Sequence, residues 1–284
     1  MTNDDILVSI SCITYNHGSF LRECLDSLVG QKTDFRFEII LHDDASTDGT
    51  QEIVREYVDK YPEILFPIIQ VENQFSQGVR GMMTRFNFPR CRGKYIAICE
   101  GDDYWIDPLK LQKQVDFLES NQDYAMCFHN AYLYYQETDK KEIFRPLEER
   151  EYSASEILRT WTIPTASVLF RKDSIDFSGT LNPRYIYGDI IMFLTIAEHG
   201  KIWCMKDPMS VYRIHPGGMT SERMTIKKLE LLILHQKQIQ KDFSQKYAKI
   251  LDKDIAGSLM FLSFLQLKEG RISSLKSGYE SLKY

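Results

Sequence analysis

No stretch of this 284-residue chain approaches the ~20 consecutive apolar residues that a membrane-spanning helix needs. Its first residues, Met1-Thr2-Asn3-Asp4-Asp5, lack the basic-then-apolar pattern of a leader, so a cytoplasmic protein is expected. Positive charge is not in excess. The 35 Lys and Arg face 40 Asp and Glu, for a formal net charge of -5, which argues against a nucleic-acid partner held by broad electrostatic attraction. The six cysteines, at positions 12, 24, 91, 99, 127 and 204, have no tight metal-ligand spacing. Cys12, Cys99 and Cys127 sit inside apolar runs, as buried reduced thiols do. No repeat or low-complexity linker breaks the chain.

What is present is an alternation of strand and helix signals. Ile6 to Thr14 is apolar and β-branched; Tyr15-Asn16-His17-Gly18 then forms a turn into Phe20, Leu21, Cys24, Leu25 and Leu28, apolar at helical spacing. Phe37 to Leu41 repeats the strand signal, stops at His42-Asp43-Asp44, and leads through Ser46-Thr47-Asp48-Gly49 into a second helix around Ile53 to Val58. Ile64 to Val71 and Lys94 to Cys99 read as further strands, Pro108 to Leu118 as a helix, and Ala125 to Tyr135 and Thr162 to Arg171 as later strands. Such alternation predicts an α/β fold with a mostly parallel twisted sheet and right-handed crossovers. From Thr225 onward the pattern changes to long helices in which Lys and Arg outnumber Asp and Glu. We therefore expect a catalytic domain over 1–222 and a C-terminal helical appendage over 223–284.

In open parallel sheets, ligands bind outside the carboxyl ends of the strands. Three polar clusters occupy such ends here: Thr14-Tyr15-Asn16, Asp43-Asp44 and Asp102-Asp103. Each alone is an ordinary turn or helix cap; their joint placement favours one shared cleft. The loop after the first strand has neither Gly-x-Gly-x-x-Gly nor Gly-x-x-x-x-Gly-Lys-Ser/Thr, so a phosphate group needs another counter-charge. Adjacent carboxylates at Asp102 and Asp103 repel unless a cation is present, and a hard divalent ion bridging them to a diphosphate resolves both charge problems.

Val8 to Asn16, Glu38 to Thr50, and Gly93-Lys94-Tyr95-Ile96 followed by Glu100-Gly101-Asp102-Asp103 together resemble family-2 glycosyltransferases of the GT-A fold. Three ordered motifs over the first ~130 residues make the likeness specific. The resemblance implies a nucleotide diphosphate sugar as donor and Mn or Mg as cofactor. It implies further that Thr14, Tyr15 and Asn16 line the nucleotide, that Asp44 meets a uracil-like edge, that Asp102 approaches ribose and phosphates, and that Asp103 ligates the metal. The family's common Asp-x-Asp-Asp stretch has Glu100 in its first place here. Gly78-Val79-Arg80 matches a glycine turn, making Arg80 and Arg85 diphosphate contacts. Asp189, opening the segment Gly188 to Leu194, is the implied catalytic base, and Val211 to Thr220 resembles a closing loop in which His215 completes the metal site.

The implied acceptor is a saccharide or lipid-linked saccharide of the bacterial cell surface, and the basic C-terminal segment is a candidate for peripheral membrane contact. Two other readings stand beside this one. A nucleotidyltransferase or pyrophosphorylase shares the sheet and acidic metal site, and a non-catalytic nucleotide-sugar binding module shares the cleft.

Overall fold

The first, second and fourth strand signals become strands whose side chains are buried on both faces, and the third becomes a part-exposed edge strand. The computed structural model describes residues 5–159, 162–176, 185–218, 225–270 and 273–284. Residues 1–4, Met219, Thr220 and the expected boundary at 222/223 lie outside those described. β1 (Ile6–Thr14) is buried from Val8 to Cys12 and pairs in parallel with β2 (Arg36–Asp43) and β4 (Tyr95–Glu100); β3 (Leu65–Ile69) pairs with β2. Near-continuous burial of this kind is what a central parallel strand requires. Two helices make the crossovers: α1 (Leu21–Val29), which buries Leu21, Cys24, Leu25 and Leu28, and α2 (Thr50–Lys60).

Beyond β4 the sheet continues through β9 (Leu169–Arg171), β6 (Tyr124–Tyr135), β10 (Lys201–Ile214) and β5 (Tyr104–Trp105). β9 is antiparallel to both β4 and β6, and β6 is parallel to β10, so the six principal strands run one way. The antiparallel members are short; β5, β7 (Lys140–Ile143) and β8 (Arg150–Glu151) sit against β6 and β10. The single strand expected over Thr162 to Arg171 is broken. Pro164 offers no N–H, and the Ser167 amide and hydroxyl close back onto its carbonyl at 2.9 and 2.6 Å, leaving only three residues to pair. Thr165 and Ser167 are buried.

α3 (Lys110–Ser120) and α4 (Ala154–Arg159) flank the sheet, and α5 (Gly188–Ile196) is apolar on two sides. Met192, Phe193 and Ile196 pack toward the sheet, while Ile191 and Leu194 join Ile226, Leu229 and Ile233 of α6 (Ile226–Lys268). The C-terminal segment therefore shares a core with the preceding chain. α6 is bent at Phe243, where φ is -120° and ψ 21°, and α7 (Ser273–Ser281) folds back along it with Ser277 bonded to Gln266. All six cysteines are buried and unpaired, as expected.

One buried charge stands out. Lys110 is fully enclosed, with Nζ 2.7 Å from the neutral Gln114 amide oxygen and 3.9 Å above the Trp105 ring. Burial lowers its pKa from 10.5 to about 7. Between those values the unfolded chain holds a proton that the folded chain lacks, so this group makes stability rise with pH, by at most about 1.4 kcal/mol per unit. The unfolding free energy of wild type minus that of Lys110→Met is expected to increase from pH 7 to pH 10 in parallel denaturant titrations. A flat difference would mean that the amine is solvated in the fold.

Candidate active site

β1, β2 and β4 end side by side, and their loops are laced together by the backbone. Thr14 O accepts from Asp44 N at 3.0 Å and Ile13 O from Gly101 N at 2.8 Å. Asn16 adopts a left-handed conformation, φ 54°, which its short polar side chain tolerates, and its Oδ1 accepts from Thr47 N at 2.9 Å. His17 N donates to Thr50 Oγ1 and Gly18 N to Asp48 Oδ2. The three clusters expected to share a cleft thus meet. Gly101 is required here: a Cβ would sit 2.7 Å from Thr14 Oγ1 and 3.1 Å from His17 Nδ1.

The carboxylates in this region have different partners. Asp43 accepts from Ser46 and from Gln51 Nε2 at 2.9 Å. Asp44, buried, accepts from Gln74 N at 2.8 Å and Phe75 N at 3.0 Å, so it anchors the turn after β3, while each oxygen keeps a second lone pair for a ligand. Thr14 Oγ1 is buried with no hydrogen-bond partner among the described residues, and Tyr15 is exposed.

Asp102 and Asp103 do not act as a pair. Successive side chains leave the turn in different directions. Asp103 is 2% exposed and its Oδ1 accepts from Arg213 N at 2.9 Å, with Oδ2 unpartnered among the described residues. Burial first, then the Asp102 and Glu100 charges, push its carboxyl well above the usual range. Asp102 Oδ2 instead lies 3.1 Å from His215 Nε2 and 3.7 Å from His17 Nε2. Burial opposes ionisation of Asp102, but the bond to His215 and the neighbouring His17 outweigh it and its pKa is lowered. His17, Asp102 and His215 each offer a ligand atom within 4.8 Å of the others, and they form the one such group found among the described residues. Of the two residues expected at the metal, His215 belongs to this group and Asp103 does not, its Oδ1 facing the β10 backbone; Asp102, expected near ribose and phosphates, supplies the group's carboxylate.

Arg213, 6% exposed, fixes this corner. Its Nε donates to Asp102 O at 2.9 Å and its Nη1 to Gln136 Oε1 at 2.6 Å, its Nη2 meets Glu23, and its guanidinium lies over the Phe20 and Tyr104 rings. Asp189 occupies the first turn of α5, where Tyr187 is the cap and makes no side-chain capping bond. Burial raises the Asp189 pKa. Its charge acts on Glu100, whose pKa is raised to about 8 by burial, then by Asp102 and Asp189. Arg80 is turned onto its own loop, with Nη1 donating to Phe75 O and Val79 O, and Arg85 is exposed. A shallow depression of ≈ 500 Å³ lined by Arg92, Lys94 and Lys172 lies at the opposite, amino ends of β1 and β4. Its Arg92 and Lys94 are committed to Glu38 and Glu119.

The sequence profile described as Glycosyl transferase family 2 matches residues 9–177, which include Thr14, His17, Asp44, Glu100, Asp102 and Asp103 but not Asp189, Arg213 or His215. The chain belongs to glycosyl transferase family 2. An uncharacterized protein of Mycobacterium tuberculosis is 35% identical over 226 residues, covering 78% of this chain and 62% of that one, so the chain spans less than two thirds of that relative. The Escherichia coli protein WfaP, named a UDP-Glc:alpha-D-GlcNAc-diphosphoundecaprenol beta-1,3-glucosyltransferase, is 28% identical over 76% of this chain and 81% of its own length. Among solved structures, Staphylococcus aureus TarS 1-349 in complex with UDP-GlcNAc superposes with a TM-score of 0.69 at 18% identity, covering 98% of this chain and 80% of that one. The shared architecture is the mixed, curled sheet with flanking helices, as the GT-A resemblance implied.

Two residues of this family-2 site went unread in the sequence. His17 looked like part of a turn, and Arg213 like one residue of the closing loop expected over Val211 to Thr220, whereas it lies in β10. The available signal for His17 was its place three residues past a strand end that faces two others. Manganese titration should separate the neighbouring aspartates: Asp102→Asn and His215→Ala are expected to weaken binding by roughly tenfold or more, since each removes a first ligand, while Asp103→Asn leaves it nearly unchanged. Equal losses for Asp102→Asn and Asp103→Asn would restore the adjacent-pair arrangement.

Proposed function

We propose that this chain is an inverting, metal-dependent glycosyltransferase that moves a sugar from a UDP-sugar to a saccharide or lipid-linked acceptor in cell-surface polysaccharide synthesis. The observation that carries the reading is the convergence of Asp102, His17 and His215 at the strand ends, with the Asp189 carboxylate close enough for its charge to act on Glu100. Thr14, Tyr15, Asn16 and Asp44 are assigned to the nucleoside, and the N–H donors that Arg80 keeps free of its own loop to the diphosphate. The residues at the corner suit a divalent ion: two imidazole nitrogens and one carboxylate oxygen converge. That mixed donor set favours Mn over Mg, which prefers an all-oxygen octahedral shell. When bound, such an ion neutralises charge on the leaving diphosphate. The chain's own groups do the rest. Arg213 and Gly101 hold Asp102 in place, and Asp189 takes the proton from the acceptor hydroxyl. Burial, which raises the Asp189 pKa, also makes its carboxylate a stronger base.

The UDP and lipid-linked assignments draw on the name of the WfaP relative. A pyrophosphorylase reading is disfavoured because no glycine-rich, lysine-bearing first loop is present. Replacing Asp189 with Asn keeps shape and removes the base, so turnover should fall ~100-fold with UDP affinity unchanged. The assay is UDP release from UDP-glucose, UDP-galactose or UDP-N-acetylglucosamine with GlcNAc-diphosphoundecaprenol as acceptor. Near-normal turnover in the variant would move the base elsewhere, and donor binding without turnover in wild type would favour the silent binding module.

A lipid-linked acceptor also requires contact with a membrane surface, and no helix among the described residues is long and apolar enough to cross one. Met260, Phe264 and Leu267 on α6, Leu275 and Tyr279 on α7, and Leu282 just past its end are exposed at helical spacing. Lys249, Lys253, Lys268, Lys276 and Lys283 are exposed on the same two helices, the pattern of an interfacial amphipathic surface. In vesicle flotation, the protein is expected to bind anionic but not zwitterionic vesicles, and Phe264→Glu combined with Leu267→Glu to abolish binding. Absence of binding to anionic vesicles would remove the membrane from this scheme.

A further inference from the structure

The segment that delivers Asp189 has little of its own to hold it. α5 starts at Gly188, whose Cβ position is open space, and its cap residue Tyr187 makes no side-chain capping bond, so the first turn would fray if left alone. The constraint comes from the C-terminal helix. His235 on α6, 2% exposed, accepts at Nδ1 from the Ile186 backbone N–H at 3.2 Å. Its ring lies edge-on to Tyr185 and Tyr187, with centroids 6.1 and 5.4 Å away. Two helical turns further, Asp242 receives the Tyr185 hydroxyl and is itself held by Gln238 Nε2 at 2.8 Å. The three residues before Gly188 are thus gripped from one element, two to four residues ahead of the carboxylate.

The choice of histidine at this point is informative. An Nδ1 that accepts places the ring proton on Nε2, and Nε2 is buried with no hydrogen-bond partner among the described residues. A buried unsatisfied N–H destabilises the fold, a cost that a leucine of similar volume would avoid. Packing alone therefore gives no reason for an imidazole here; its acceptor nitrogen does. Burial also lowers the His235 pKa to about 4, so the accepting form persists at neutral pH.

We propose that His235 is a positioning residue for the reaction: its Nδ1 clamps the Ile186 amide and thereby fixes Asp189 at the acceptor side of the cleft. The inference rests on Asp189 being the base. It makes the C-terminal helix part of the catalytic apparatus, because a misplacement near 1 Å at the base can cost up to ~100-fold in rate.

Three variants of the full chain test it: His235→Leu, His235→Asn and Asp189→Asn. Asn places Oδ1 close to the position of Nδ1 and can accept the same bond; Leu cannot. The first readout needs no substrate. Hydrogen exchange over residues 186–190 is expected to be about tenfold faster in His235→Leu and near wild type in His235→Asn. The second is turnover with the donors and acceptor named above: His235→Leu should lose roughly tenfold in kcat with unchanged UDP affinity and no drop in melting temperature, and His235→Asn should recover most of it. Wild-type exchange and kcat in His235→Leu would overturn the proposal. So would a loss that Asn does not rescue, or one matched by a fall in UDP affinity or in melting temperature. If Asp189→Asn keeps full turnover, the base assignment falls and this inference falls with it; if Asp189→Asn is inactive while His235→Leu is normal, only the inference about His235 fails.

Discussion

Five carboxylates converge where β2 and β4 end, and keeping them there against mutual repulsion and desolvation is the constraint that shapes this corner of the molecule. Each has its own resolution. Asp44 is satisfied by two backbone amides, Asp43 by Ser46 and Gln51, Asp102 by two imidazoles, and Asp103 by the Arg213 amide. Glu100 is raised to about 8 by burial and by its charged neighbours, so at neutral pH it is largely protonated. Local cationic charge is sparse. The buried guanidinium of Arg213 is woven through the cluster, and the negative field it leaves uncompensated is what makes a divalent ion at His17, Asp102 and His215 physically reasonable.

The two halves of the sheet contribute different things to that corner. β1, β2 and β4 supply the acidic loops through a parallel arrangement whose strand ends lie at one level. β10 supplies Arg213 and His215 from its last residues, and it can do so because it runs parallel to β6 and in the same direction as β4, so that its carboxyl end arrives at the same edge. α5 then reaches the cleft from the far side, held between the sheet core and α6.

Much of this was legible in the residues. The β1 run Ile6 to Thr14 was read to its ends because Val8, Ile10 and Cys12 alternate with the small Ser9 and Ser11 inside an otherwise apolar, β-branched stretch, and the aspartates after β2 and β4 marked the cleft by position alone. Other features depend on information that a linear pattern does not carry. The separation of Asp102 from Asp103 is set by which way each side chain leaves a turn, and that is fixed by Gly101 packing on Thr14. The interruption at Pro164 was visible as a proline but was overridden by the apolar run after it. The C-terminal segment read as an appendage because its helical periodicity says nothing about where its apolar face docks; the structure buries Leu229 and Ile233 against α5.

The cysteines have a practical consequence. Cys24 and Cys99 bring their sulfurs to 3.9 Å directly beneath the Glu100 carbonyl, yet burial and their own neighbours hold Cys24 well up, and burial holds Cys99 at about 11 and Cys91, Cys127 and Cys204 at about 12. Because the thiolate is the reactive form, these sulfurs are protected twice, by exclusion of reagent and by retention of the proton. Alkylation of this chain at neutral pH is accordingly a clock for opening of the fold: each thiol that becomes modified dates the moment at which the layer containing it came apart.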